Sequence, residues 1–151
     1  MWPQVLHTGR FSAPYSRHLP PGFVDYRDVA EVAAIALTCD RLACGSFELC
    51  AEQGLDRHAI TAMMSNEAGT PIEAAEQTPE EWAATTAFPG TDREKGLLAK
   101  MYAYYDARGF TGNSLALTAI LWREPRRLRN YIGELALRGS QDMSQKSDVG
   151  A

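Results

Sequence analysis

Strand-forming sequence is scarce in this chain, and that scarcity limits what it can fold into. Beyond a loop or short strand after Gly9, only Ser46–Cys50 and Pro71–Ala75 read as strands, the first with Phe47 and Leu49 pointing one way. Two or three short strands do not make a self-sufficient sheet. The rest is patterned for about six helices. The class is therefore α+β, mostly helical, with a sheet that something else must complete.

The helix signals are specific. Asp25 is placed to cap a helix through FVDYRDVAEVAAIALT, with Asp28 three residues on as a capping-box variant and Val24 and Val29 spaced as a staple. Val29, Val32, Ala33, Ala36 and Leu37 then fall on one apolar stripe. Asp56 caps a second helix, with Ile60, Met63 and Met64 on its buried side and Gly69 at its end. Thr78-Pro79-Glu80-Glu81 starts a third, ending near Phe88-Pro89-Gly90. Leu97, Leu98, Met101, Tyr102 and Tyr105 share a face of the longest pattern. NSLALTAIL is a short apolar helix, and Pro125 marks the first position of a last one with Leu128, Tyr131, Ile132, Leu135 and Ala136 as its stripe. From Gly139 the sequence is polar, so the domain is placed at 1–138 and a disordered tail at 139–151.

With 151 residues, 45% hydrophobic and 23% charged, the chain fits one globular domain. A net charge of -4 argues against a broad nucleic-acid surface. No apolar run approaches the ~18 residues that would span a bilayer. No basic leader precedes an apolar stretch, so a cytoplasmic protein without membrane contact is expected. Cys39, Cys44 and Cys50 lack C-x-x-C spacing and are expected as buried free thiols; His7, His18 and His58 are too scattered to hold a metal.

Taken in order, the segments GFVDYRDVAEVAAIALT, GSFELC, DRHAITAMMSNEAG, TPEEWAA, YAYYDARGF and LWREPRRLRNYIGELA form a pattern. This series resembles the C-terminal half of NmrA-like proteins, atypical members of the short-chain dehydrogenase/reductase superfamily. The matching features include the aspartate-capped helix, the Ser65–Gly69 S-x-x-x-G helix end, the P-E-E-W start and the R-E-P of Arg123–Pro125. The resemblance covers roughly residues 1–137. It implies a truncated NmrA-like substrate-side domain. In the family, a Rossmann half supplies a Gly-rich loop for the dinucleotide pyrophosphate. No such motif occurs here: ACGSF holds one glycine, and Gly109 and Gly112 lie between helices. No tyrosine is followed four residues later by lysine. The resemblance thus places no dinucleotide residue, and no cofactor, on this chain.

It does place Tyr15 and His18 beside the substrate cleft, as candidate acid/base groups; a histidine titrates near pH 6.5 when unperturbed. Phe11, Tyr15, His18, Trp82, Tyr102 and Tyr105 are the candidate substrate-binding residues. The Asp25/Asp28 pair reads as helix capping. The cluster Arg123, Arg126, Arg127 and Arg129 reads as a solvated face or an anion site. No G-x-S-x-G, H-E-x-x-H or P-loop is present.

Three functions compete. The first is a small-molecule-binding domain without NAD(P) chemistry, in enzymatic form a cofactor-independent cyclase or isomerase acting on a hydrophobic specialised metabolite. The second is a split half or fragment of an NAD(P)H-dependent reductase, completed by a Rossmann-half partner. The third is a non-enzymatic regulatory or interaction module. All three leave apolar stripes uncovered, so a homodimer is expected. MWPQVLHTGRF, which reads as half a helix and its cap, falls inside the chain in the resembled family. The cofactor half is then not encoded, and Trp2, Val5 and Leu6 become expected interface residues.

Overall fold

The computed structural model describes residues 2–85 and 90–148. Among these it has seven α-helices, a single 3-10 turn and two short strands. The chain divides into two compact units. Unit 1 comprises the residues up to Pro21 with Leu55–Phe110, and unit 2 comprises Gly22–Gly54 with the chain from Thr111.

In unit 1, helix α1 (Trp2–Thr8) buries Trp2 and Val5 on one face. Both were expected at an interface, and both instead fill the unit's own core at 5% and 4% exposure; only Leu6 stays open. Gly9, at φ +63, ends α1 with its N–H donating to the Val5 carbonyl at 2.8 Å. Its carbonyl then accepts from the Glu73 N–H, which starts a parallel pair. Strand β1 (Arg10–Ala13) runs beside β2 (Glu73–Glu76), in register Arg10 to Glu73 and Ala13 to Glu76. Ala74 and Ala75 are buried, and α3 (Arg57–Ala68), which packs on β2, buries Ile60 and Met64.

The ends of α3 are as expected. Asp56 accepts from the Ala59 N–H at 2.8 Å, and Gly69 takes the left-handed conformation that a side chain would strain. The S-x-x-x-G serine has a physical role: the Ser65 hydroxyl donates to the Thr61 carbonyl and accepts from the Ile72 N–H, joining the helix end to the start of β2. Helix α4 (Pro79–Thr85) opens on a reciprocal Thr78/Glu81 capping box. Its expected end at Phe88-Pro89 lies outside the described residues. Helix α5 (Asp92–Arg108) begins on a second box, Thr91/Glu94, and turns Leu98, Met101, Tyr102 and Tyr105 inward to half-buried positions while Leu97 stays exposed.

In unit 2, helix α2 (Tyr26–Thr38) is capped by Asp25, which accepts from the Arg27 N–H. The expected stripe is corrected. The buried residues are Asp28 and Val32, with Ile35 against the core, whereas Ala33, Ala36 and Leu37 face outward. Asp28 is the cause. It does not complete a capping box; its carboxylate accepts from the Arg126 N–H at 2.7 Å and from the guanidinium groups of Arg123 (2.7 Å) and Arg126. Glu31 receives both arginines as well, at 2.7 and 2.8 Å. A charge this deep is tolerable only when paired, so α2 rotates to bury it.

The core of unit 2 joins Val32 and Ala51 to Leu117 and Ile120 of α6 (Leu115–Leu121). Segment Ser46–Cys50 is not a strand. It has no regular secondary structure; its continuation makes one antiparallel bridge, Phe23 to Glu52, and Phe47 remains 46% exposed. A strand needs a continuous neighbour, and the described chain offers it a single bridging residue. Helix α7 (Leu128–Asp148) starts three residues later than Pro125 implies, because Asp28 holds the Arg126 N–H and Glu52 accepts from the Leu128 N–H at 3.1 Å. Its helical span runs past Gly139 to Asp148. Cys50 is buried as expected, but Cys39 and Cys44 are exposed free thiols.

Burial pushes the Asp28 carboxyl up, and the hydrogen bonds from Arg123 and Arg126 outweigh that, leaving it below its ordinary value. Its contribution to stability is therefore complete above the ordinary aspartate value of about 4 and fades as pH falls through the lower folded-state value. Asp28→Asn should cost ~3 kcal/mol near pH 7, the low end for a severed buried pair. The low end applies because Arg123 and Arg126 keep 35% and 34% of their side chains exposed. Urea unfolding across pH should show the gap between wild type and variant closing in acid. An equal gap at all pH values would mean that the carboxylate's charge is not what stabilises unit 2.

Candidate functional site

The aromatic residues singled out by sequence come together in unit 1. Tyr102, on the inner face of α5, stands 6.0 Å from the Tyr15 ring, 5.7 Å edge-on from Trp82 of α4 and 6.3 Å edge-on from Tyr105. Tyr105 stacks on Phe110 at 4.4 Å. Helical spacing produces the α5 part of this series, and the two capping boxes fix how α4 and α5 begin. Phe110, half-exposed just after α5, belongs to the series although it is not among the candidate substrate-binding residues read from sequence. Phe11 lies apart on β1, opposite Ala74. His18 is exposed and faces His58, ring to ring at 5.6 Å, rather than joining the tyrosines.

Sequence reasoning missed Arg57. It is 1% exposed and lies 5.0 Å over the Tyr15 ring. Its guanidinium donates to the carbonyls of Ala75 (2.6 Å), Ala13 (3.0 Å) and Tyr15. Glu76, half-exposed, pairs with it at 3.5 Å. One side chain thus holds the ends of both strands and the backbone of Tyr15. The only sequence signal is its position one residue after the Asp56 cap, where a surface arginine is ordinary. Burial raises the Tyr15 phenol above its usual value, with the Arg57 charge opposing this; burial also raises Tyr102, aided by Tyr105. Both phenols stay protonated at neutral pH and can donate to a ligand oxygen.

Unit 2 carries a cleft of about 470 Å3 between the N-terminal ends of α2 and α7, lined by Val24, Tyr26, Leu128 and Tyr131 together with charged side chains. That volume falls in the range of small-molecule sites.

A dinucleotide does not fit the described strand ends. A pyrophosphate needs glycines that let backbone N–H groups approach it at a helix start. After β2 the chain enters α4 through Gln77-Thr78-Pro79, without glycine, and Glu80 and Glu81 occupy the first turn. The Glu81 N–H is already held by Thr78. Two carboxylates there repel a phosphate. β1 leads into a proline-rich loop, not a helix. Among the described residues no group of three His, Cys, Asp or Glu side chains is placed to hold a metal, and no helix is long and apolar enough to cross a membrane.

No family model and no curated protein matches the chain. Solved structures do. A nucleoside-diphosphate-sugar epimerase from Staphylococcus aureus matches at TM-score 0.75 and 17% identity, over 87% of this chain and 46% of its own. An NADPH-dependent quinone oxidoreductase from Escherichia coli matches at 0.74 and 17%, over 89% and 49%. A triphenylmethane reductase from Citrobacter matches at 0.72 and 14%, over 90% and 47%. The chain spans about half the length of these structures. At such identities the likeness concerns fold alone, and it agrees with the mostly helical, half-length NmrA-like fold that the resemblance implies.

Replacing Arg57 by Met would leave the buried Ala75 carbonyl without this donor, costing about 1–3 kcal/mol, with less for the part-buried carbonyls of Ala13 and Tyr15. Amide exchange at Arg10–Ala13 and Glu73–Glu76 should accelerate at least tenfold, with smaller changes in unit 2. Unchanged protection would show that the strand pair does not depend on the guanidinium.

Proposed function

We propose that this chain is the substrate-side part of an NAD(P)H-dependent reductase, acting on a flat, conjugated, apolar acceptor. The dinucleotide is held by a part that is not within these 151 residues. The observation that carries the reading is the pairing of an aromatic series with strand ends unsuited to phosphate. Tyr15, Trp82, Tyr102, Tyr105 and Phe110 offer ring faces and edges to a planar ligand, and stacking of this kind adds about 0.5–1.5 kcal/mol per ring pair. The Tyr15 and Tyr102 phenols, kept neutral, would donate hydrogen bonds to a carbonyl-type oxygen as it gains charge. The names of two matched structures, a quinone reductase and a triphenylmethane dye reductase, support a conjugated acceptor. Cofactor-independent cyclisation or isomerisation gains no support from these comparisons, and no observation of the site favours it.

A covering partner belongs to the same reading. Ala30, Ala33, Ala34 and Leu37 form an exposed small-residue stripe on α2, with Leu37 at 87% exposure. The partner we propose for it is the dinucleotide-binding part; a second copy of the chain, the homodimer expected from sequence, is the competing cover.

Menadione, a quinone, is a direct probe. It should quench the fluorescence of Trp82, and Tyr102→Ala should weaken its binding fivefold or more while the fold is retained. NADPH should not bind the chain alone. Its reductase activity should appear only once a dinucleotide-binding part is added. Tight NADPH binding by the isolated chain would overturn the division of labour, and absence of menadione binding would overturn the assigned substrate class.

A further inference from the structure

The unit 2 cleft has an imbalance of charge that the proposed reductase role does not use. Four arginines line it: Arg27, Arg126, Arg127 and Arg138. Two are consumed. Arg27 donates to Asp25 at 2.6 Å and to Glu134 at 3.0 Å, both of which also line the cleft. Arg126 is bound to Asp28 and Glu31. The other two are available. Arg127 has only a long, exposed contact with Glu124 at 3.6 Å, and Arg138 makes no ion pair among the described residues. Both carboxylates of the lining are thus occupied while two cations are not, in a chain whose net charge is -4.

Between the cations the surface is apolar and aromatic. Leu128, Tyr131 and Arg138 lie at helical spacing along one side of α7, and Tyr26 of α2 is 85% exposed at the cleft. The N-terminal end of α7, a helix of 21 residues, adds a positive field at the Arg127 end. A neutral apolar ligand would leave both guanidinium groups unused, and a small inorganic anion would leave the rings and Leu128 unused.

We propose that this cleft binds a small amphipathic anion, an aromatic or long-chain body bearing one acidic group. Arg127 and Arg138 stand at opposite ends of the apolar surface, so the acidic group pairs with one of them at one end, and Tyr26, Leu128 and Tyr131 cover the apolar body. The site lies wholly in unit 2, so this inference is independent of the aromatic series of unit 1.

Two naphthylamine probes separate the charge from the apolar body: 8-anilinonaphthalene-1-sulfonate, an aromatic sulfonate, and N-phenyl-1-naphthylamine, its uncharged analogue. The sulfonate should bind at least tenfold more tightly than the analogue. The double variant Arg127→Gln/Arg138→Gln should lose tenfold or more in sulfonate affinity while changing uncharged-probe binding less than twofold. Tyr131→Ala should weaken both probes. Circular dichroism and the unfolding midpoint confirm that each variant remains folded. Equal binding of the two probes to wild type would overturn the proposal, as would a folded double variant that binds the sulfonate as wild type does or loses both probes equally.

Discussion

The Asp28 carboxylate has no exposed surface, and the arrangement of unit 2 follows from that. A carboxylate can stay ionised at such depth only if cations come to it. Arg123 and Arg126 do so from a turn formed where Trp122, at φ +58, ends α6. The requirement sets the rotation of α2. With Asp28 inward, Val32 and Ile35 join the core one and two turns on, and Ala33, Ala36 and Leu37 must face out. It also removes two arginines from any ligand-binding role. The sequence offers a cluster of four arginines around Pro125, and the buried carboxylate decides which remain available. The distribution of free charge on unit 2 is in this sense a by-product of solving one burial problem.

Local features are legible in the sequence because two or three neighbouring residues determine them. The caps at Asp25, Asp56 and Thr78, the left-handed Gly69 and the end of α1 at Gly9 are of this kind. Asp28 is not. Its position three residues after a capping aspartate is the spacing of a capping box, and its partners lie 95 and 98 residues away. Pro125 is a valid helix-start signal, but the same carboxylate takes the following N–H and delays α7 to Leu128. Among site residues, Tyr102 and Tyr105 are legible from their spacing. Tyr15 and Trp82 are legible only through the family resemblance. Arg57 is invisible: its buried role needs the two strand ends and the Tyr15 loop to meet, and no local pattern encodes that meeting.

Arg57 also explains how so small a sheet persists. A pair of four-residue parallel strands is below what usually stands alone, and parallel strands are ordinarily covered on both faces. Here one guanidinium serves both strand ends: the carbonyls of Ala13 and Ala75 find donors on one side chain, which α3 carries. Ser65 does the same at the other end of the pair, where it receives the Ile72 N–H just before β2. One helix therefore holds both ends of β2.

The strand pair nevertheless leaves backbone groups without a neighbour. Among the described residues each strand has a single hydrogen-bonded neighbour, so each keeps one open edge. Arg10 and Glu73, paired across the register at 3.5 Å and well exposed, place charge at the start of that edge, a common way of discouraging unwanted pairing. Charge at one end discourages a random strand more than a specific one whose side chains match it. An open parallel edge in unit 1 and an exposed alanine stripe on α2 in unit 2 are each explicable by a missing cover. The dinucleotide-binding part proposed above, if built on a parallel sheet with helices on its faces, would bring both strands that extend β1–β2 and an element that packs on α2. A second copy of this chain has few strands to give and would have to satisfy the same edge with the same shortage.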